Sequence, residues 1–474
     1  MNPMNRRSFL KTSAGFLAIA ATGNVFAVTA ERSKKQPFRF KTITGPDIHV
    51  PVTQVTPDGG LYQQTYFDIT PFSPSQRYLV VSKFPFQDRM PVVGDIAEVC
   101  VVDLQEQTIQ TIYKTKSWGL QTGTNAQWGA TDRHVFCNDI IGGTAVGVRI
   151  DTETGETVAY CGPKYGLAPD ESCFVSFPLE LMDVTQFGYG CPPVKPGAYK
   201  TLPPGASKTE GIWRTDLKTN TKKLIVSLAD AAAVLPPPPP GTREYTYYFW
   251  HSKFNRQGTR VYNVVRCMIP GAESRNPANI TFKPDGTELF YCTPTESPWG
   301  APGGHPNWHP DGEHLVRHLE FGANGQVIGG DDEGGKKTGK KKDAKEAKKA
   351  KAPKQSFFVK FKYDGSTLER LAPHCPGGGH PSMEITDRYL VTDAQKITGD
   401  TTKTVSVRLI DVKADAERTV CTLPTIKWEG RFDDNVFRLD GHPCWSRDYK
   451  KVTLQAANAA GERQLFIVDL SKAM

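Results

Sequence analysis

The sequence predicts an all-β chain, a seven-bladed β-propeller forming a single domain, and three observations carry that expectation. Two strand-and-turn patterns alternate along the whole chain. Glycine (43) and proline (36) are plentiful among 474 residues, which suits many strands joined by turns better than long helices. Hydrophobic residues make up 38% and aromatics 10%, enough for a sizeable core and too much for a disordered chain.

The first pattern is a short strand, a polar turn and a second strand. It appears as Phe72-Ser73-Pro74-Ser75-Gln76-Arg77-Tyr78-Leu79-Val80 and as Trp128-Gly129-Ala130-Thr131-Asp132-Arg133-His134-Val135-Phe136. Four later copies open on histidine: His251-Ser252-Lys253-Phe254, His305-Pro306-Asn307-Trp308, His380-Pro381-Ser382-Met383 and His442-Pro443-Cys444-Trp445. A further copy, around residues 173–182, is weakly formed.

The second pattern is a hairpin, at residues 99–113, 147–161, 211–226, 279–292, 357–372 and 406–421. Its turns have hairpin chemistry, as in Asp151-Thr152-Glu153-Thr154-Gly155 and Asp364-Gly365. One copy of each pattern makes a four-stranded sheet, the blade of a propeller. The last hairpin, at 464–470, is only half present, and residues 38–52 are placed to supply its outer strand and close the ring. A pair of β-sandwiches would use similar strands but would not explain the alternation. Residues 227–235 alone read as helix, and the proline run from Pro236 ends them.

The first 27 residues read as a leader and the propeller as residues 28–474. Arg6-Arg7-Ser8-Phe9-Leu10-Lys11 is a twin-arginine pattern, the apolar run from Gly15 to Ala21 follows, and Val25-Phe26-Ala27 offers a cleavage site. That run is too short to span a bilayer, and no other run is longer. The expectation is a twin-arginine signal peptide and a mature protein that is periplasmic or secreted.

The net charge of +8 raises the possibility of nucleic-acid binding and then removes it. Between Lys336 and Lys354 stand ten lysines against Asp343 and Glu346, a surplus as large as the whole chain's. Residues 334–356 therefore read as a solvated, disordered lysine-rich insertion, able at most to hold an acidic polymer by electrostatics. The rest of the chain is balanced. Ten cysteines are scattered with no Cys-x-x-Cys, so they read as small core residues, and no pairing follows from their spacing.

The innermost strand of each blade lines the central channel, so residues at its start converge on the axis from distant parts of the sequence. His251, His305, His380 and His442 occupy that register, and Asn125 holds it in the second blade. Imidazoles converging at a channel mouth suit zinc, manganese or iron with an open coordination position; the cofactor expected is a divalent metal, zinc or manganese, with calcium as a further alternative. His309, four residues after His305, shares its strand face and is a spare ligand candidate. For any one of these histidines the alternative is a side chain that ties down a loop carbonyl.

These strings, with Gly304-His305-Pro306-Asn307-Trp308-His309-Pro310-Asp311-Gly312, resemble the seven-bladed polysaccharide lyases of the oligogalacturonate lyase and ulvan lyase families. The likeness runs from Thr65-Tyr66-Phe67-Asp68 to Val468-Asp469-Leu470. It implies a polysaccharide lyase that holds manganese through channel histidines and cleaves acidic polysaccharide or oligosaccharide by β-elimination at a uronate, as a monomer or small homo-oligomer. The C5 proton becomes acidic only when the adjacent carboxylate is neutralised, a base removes it, and an acid protonates the leaving oxygen. Tyr189 resembles the tyrosine that ulvan lyases use, and Arg266 is a candidate neutraliser. Ulvan lyases place histidine bases where this chain has Asn125 and Asn138, and asparagine is no base at neutral pH. The alternative from another class is a non-catalytic propeller that binds a glycan or a protein. A propeller peptidase is set aside, because there is no Gly-x-Ser-x-Gly elbow.

Overall fold

The computed structural model describes residues 27–192, 205–236, 246–268, 278–293, 303–322, 325–327, 355–398, 402–426 and 436–474. The twin-arginine leader up to residue 26 and the insertion from 334 to 354 lie outside the described residues. Gln355 and Ser356, counted with the insertion on sequence grounds, begin a strand, Gln355–Lys362.

Apolar residues in short strands, separated by tight polar turns, leave each segment only its neighbours to pair with. The result is seven antiparallel sheets, three of five strands and four of four. The innermost strands are Leu61–Gln63, Gln127–Trp128, Gly166–Leu167, Thr246–Phe254, Gly303–Trp308, Ser382–Met383 and Cys444–Trp445. In four blades the outer strands follow the inner one in chain order, as the alternating patterns predict. The other three take an outermost strand or strands from the N-terminal segment, and the inner strands of the first and third blades precede the copies read at Phe72 and around residue 173. Both faces of a blade pack against neighbouring blades, so a strand such as Thr144–Asp151 is buried at consecutive positions instead of at every second one.

The ring closes with N-terminal chain, as the sequence analysis expects, but with two strands in place of one, and the strand that meets the last hairpin begins only at Val52, the end of the 38–52 segment. Val52–Gln54 pairs with Arg463–Asp469, and Lys41–Ile43 pairs with Val52–Gln54. Arg463 fastens this junction. It is 1% exposed, and it donates to Gln63 Oε1 (2.6 Å), Leu120 O (3.1 Å), Phe437 O (2.9 Å) and Arg438 O (3.3 Å). Arg463→Ala would leave several buried acceptors unmade at once, so a loss of about 3 kcal/mol or more is expected in urea denaturation. A change within about 0.5 kcal/mol would mean the junction is held elsewhere.

Tryptophans stitch blade to blade. Trp128, Trp308 and Trp445 stand in one register of the repeat, and each indole N–H donates to the inner chain of the preceding blade. The acceptors are Pro71 O (2.9 Å), Lys253 O (2.9 Å) and Ser382 O (3.0 Å). A buried indole needs such a partner, which explains why the same residue recurs there.

The helix predicted over 227–235 is Leu228–Val234, with Ser227 and Asp230 forming a capping box. The sequence analysis missed the helical turns Leu179–Leu181 and Met182–Thr185, which are too short to show a period. All ten cysteines are free thiols, nine of them buried, which fits a role as core residues. Among the described residues no helix is long and apolar enough to cross a membrane.

Candidate metal centre and active site at the channel mouth

A left-handed backbone residue marks the entry of several inner strands. Asn125 (φ 54°), His251 (60°), His305 (54°) and His442 (48°) adopt it, and Gly379 (69°) adopts it immediately before His380. A non-glycine residue rarely does so, and here the conformation repeats around the ring. His251 and His305 lie where the strand register shifts, between Trp250 and Ser252 and between Gly304 and Asn307. Such bulges re-aim a side chain out of the alternating pattern. In this way four segments spread over 192 positions turn imidazoles towards one axis.

The axis is filled by Tyr66 and Phe67, which are 2% and 0% exposed. The Tyr66 ring lies 4.5 Å from that of His442, 5.0 Å from His251 and 6.0 Å from His380. Phe67 lies 5.1 Å from His380 and 6.1 Å from His305. On the other side of these rings Lys253 forms a buried ion pair with Asp68, its Nζ 4.8 Å from the Tyr66 centroid.

Three of the four histidines are in direct contact. The His305 and His380 rings are 3.8 Å apart, and those of His380 and His442 4.3 Å. His380 Nδ1 is held by Asp393 Oδ1 at 2.9 Å, and His442 Nδ1 lies 2.8 Å from the Gln455 amide. The same Asp393 carboxylate accepts from the backbone N–H groups of His380 (2.8 Å), Gly441 (3.0 Å) and His442 (3.2 Å). Burial works against that charge, but the His380 ring, His442 and the backbone donors outweigh it and hold the carboxyl far below its usual pKa.

With their Nδ1 atoms engaged, His380 and His442 present buried Nε2 atoms that have no hydrogen-bond partner. The ligand atoms of His380, Asp440 and His442 all lie within 4.8 Å of one another. Two orphaned imidazole nitrogens, a carboxylate and outer partners that fix ring orientation are a fitting donor set for a divalent cation. His305, stacked beside them and half-buried, donates from Nδ1 to Gly379 O at 2.8 Å, which leaves its Nε2 lone pair free for other work.

The remaining predicted residues divide. Tyr189 is at the mouth, 4% exposed, its hydroxyl accepting from Arg438 Nη2 at 3.1 Å. Arg438 in turn donates to Asp440 Oδ2 at 2.7 Å, so Tyr189 connects to the candidate metal ligands through one guanidinium. Arg266 lies 4.0 Å over the Trp250 ring and donates to Gln186 Oε1 at 3.2 Å. His251 stacks on Trp250 at 4.0 Å and shares its Nδ1 with the Tyr165 hydroxyl. It lies across Tyr66 from the other three histidines and outside the candidate ligand group.

Two expectations are corrected. His309 is not a spare ligand: it pairs with Asp311 at 2.9 Å and Asp387 at 3.1 Å at the opposite end of the channel. Four residues of strand keep the same face but advance about 13 Å, which carries the ring away from His305. Asn125 is not at the histidine cluster either. With Asn138 it clamps Lys164: Asn125 and Asn138 donate to Lys164 O (3.2 and 2.7 Å), and Lys164 Nζ donates to Asn125 Oδ1 (3.1 Å). The sequence analysis missed Tyr66, Asp393, Arg438, Asp440 and His318, whose ring is 6.0 Å from His305. Asp440, two residues before His442, was the most findable, because a carboxylate beside a candidate ligand is itself a donor.

No family model matches the chain, and no curated protein matches it in sequence. Solved structures do. An oligogalacturonate lyase in complex with manganese aligns with a TM-score of 0.62 and 16% identity, over 93% of this chain and 98% of its own. The oligogalacturonate lyase of Vibrio parahaemolyticus aligns with a TM-score of 0.61 and 15% identity, over 94% and 100%. At these identities the likeness establishes the fold, a seven-bladed propeller of the kind oligogalacturonate lyases have.

Proposed function

We propose that the protein is a metal-dependent lyase that binds a uronate-containing acidic oligosaccharide at the histidine mouth and cleaves it by β-elimination. One observation carries the reading: the orphaned, oriented Nε2 atoms of His380 and His442 stand beside Asp440, in a fold shared with an oligogalacturonate lyase that holds manganese. His380, His442 and Asp440 would hold the cation. When bound it supplies positive charge at a uronate carboxylate, which makes the C5 proton acidic.

The chain's own groups account for the rest. His305, its Nδ1 proton tied to Gly379 O, offers Nε2 as the proton acceptor. Tyr189 holds a proton at its hydroxyl oxygen, and the Arg438 guanidinium at 3.1 Å stabilises the phenolate that forms when that proton passes to the leaving oxygen. Arg438 also balances Asp440, so the site does not accumulate uncompensated anion.

The seal formed by Tyr66 and Phe67 favours a second reading, a propeller that binds the glycan without cleaving it. Incubation with oligogalacturonate, ulvan and alginate fragments, with and without manganese, separates the two. Absorbance of a new unsaturated uronate is expected to rise only with metal, and Tyr189→Phe to lower kcat by about 10²–10³-fold with KM little changed. Binding without any rise would establish the second reading.

A further inference from the structure

We propose that the end of the channel opposite the histidines is a separate binding site for a small oxyanion, a carboxylate- or phosphate-bearing molecule up to about the size of a monosaccharide. The channel opens there into a funnel of about 430 Å³, a volume in the range of small-molecule sites. Its floor includes Phe67, Tyr165 and the Asp68–Lys253 pair. Phe67, wholly buried, also touches His305 and His380 from below, so one layer of side chains divides the funnel from the histidine mouth.

The funnel's charge is one-sided. Among its lining residues Lys253, Arg256 and Arg447 are the cations apart from His309, and Asp68 is the one carboxylate. Asp68 is taken by Lys253. The two arginines are left facing the cavity with neither paired to an acid among the described residues. His309, the imidazole on the wall, has its own carboxylates in Asp311 and Asp387, and Tyr165, Tyr449 and Cys444, which also line it, are neutral phenols and a thiol.

Both guanidiniums are positioned by groups other than a carboxylate. Arg447 donates from Nε to Phe72 O (3.1 Å) and Ser73 O (3.0 Å), which turns its Nη edge away from those carbonyls and leaves it for another acceptor. Arg256 is pinned from Nη1 by the Tyr449 hydroxyl at 2.7 Å. Asp132 attracts Arg447 electrostatically, yet its oxygens already accept from Ser75 N and Oγ. Burial and the nearby Arg256 charge both disfavour the Arg447 cation. Two like charges held together by backbone and phenol contacts gain most from an oxyanion placed between them, where planar forks bind oxygens in pairs.

The rest of the wall offers little competition. The indole N–H groups of Trp128, Trp308 and Trp445 are all committed to backbone carbonyls of preceding blades, so they present ring surface and not donors. Uncompensated charge at this end therefore resides in the two arginines, and the class of ligand follows from them. The site stands independently of any reaction at the histidines.

Calorimetric titration of the full chain with galacturonate and with inorganic phosphate tests the site. Saturable binding of at least one probe is expected. It should weaken tenfold or more in Arg256→Gln, an exposed position whose replacement leaves the fold intact, and also in Arg447→Gln. It should be retained in His380→Ala, whose ring meets the far face of Phe67 and touches neither arginine. Binding of phosphate alone would identify a phosphorylated ligand, and of galacturonate alone an acidic sugar; either supports the site. Three outcomes would overturn it: no saturation by either probe up to about 10 mM, binding indifferent to Arg256→Gln, or binding lost in His380→Ala.

Discussion

Replacing Lys164 with methionine is expected to stabilise the protein near neutral pH, with an advantage that shrinks and then reverses as the pH rises towards 10. Lys164 is 0% exposed, and among the described residues no carboxylate is paired with it and its ammonium donates to one neutral oxygen, Asn125 Oδ1. Burial pushes its pKa down to about 7 from the ordinary 10.5. Below pH 7 the lysine is protonated in both the folded and the unfolded chain, and the folded state bears the whole cost of a buried charge. Between about 7 and 10.5 the unfolded chain binds more protons than the folded one, so stability rises with pH across that window. Each tenfold loss of proton affinity on folding is worth about 1.4 kcal/mol, which puts the cost near neutrality on the order of 3–5 kcal/mol. Methionine fills similar space without the charge and leaves Asn125 Oδ1 unpaired, a penalty of about 1–3 kcal/mol. The variant should therefore lead by about 2 kcal/mol at pH 6–7 and fall behind near pH 10. Urea midpoints of both proteins at one-unit pH steps would show it, and parallel curves would exclude a depressed lysine.

The second large effect is expected at the candidate metal centre. His442→Ala removes one of two orphaned nitrogens, and if the proposed site holds manganese its affinity should fall by about 10³-fold or more, with the proposed lyase activity lost in proportion. Asp393→Asn is the more discriminating change, because Asp393 is not itself in the candidate ligand group and acts by holding the His380 ring and the backbone at Gly441 and His442. Loss of such an outer partner costs about 10–100-fold in metal affinity. Activity of the Asn variant should recover at high manganese, while that of His442→Ala should not. Unchanged metal affinity in both proteins would show that the histidines only hold loops in place.

Much of this architecture is readable in the sequence because it repeats. Seven strand-and-turn units, and histidines entering four inner strands in one register, are local signals that recur, and recurrence makes them countable. The pieces that defeat sequence reading are those that meet across the axis. Tyr66 stands in a stretch with no repeat partner, Asp393 lies inside an ordinary strand, and Arg438 reaches Tyr189 from 249 positions away. His309 shows the limit of face parity, which says which side a residue takes but not how far along the channel it lies. Asn125 shows a different limit. Its register is that of the histidines, but an amide finds nearer partners, and the buried lysine at 164 drew it away from the axis.

The closure of the ring has a consequence for how the protein is made. Val52–Gln54 emerges from the ribosome early, yet its partner Arg463–Asp469 follows some 400 residues later. At about 5–20 residues per second that is a wait of roughly 20–80 s. Through that interval the newborn chain carries an unmated strand at one end and a growing stack of blades behind it. Such an edge is an invitation to neighbouring chains on the same message. The ring is thus most vulnerable just before Arg463–Asp469 is made, and a latch that joins segments some 400 residues apart leaves any molecule released before that strand with its ring open.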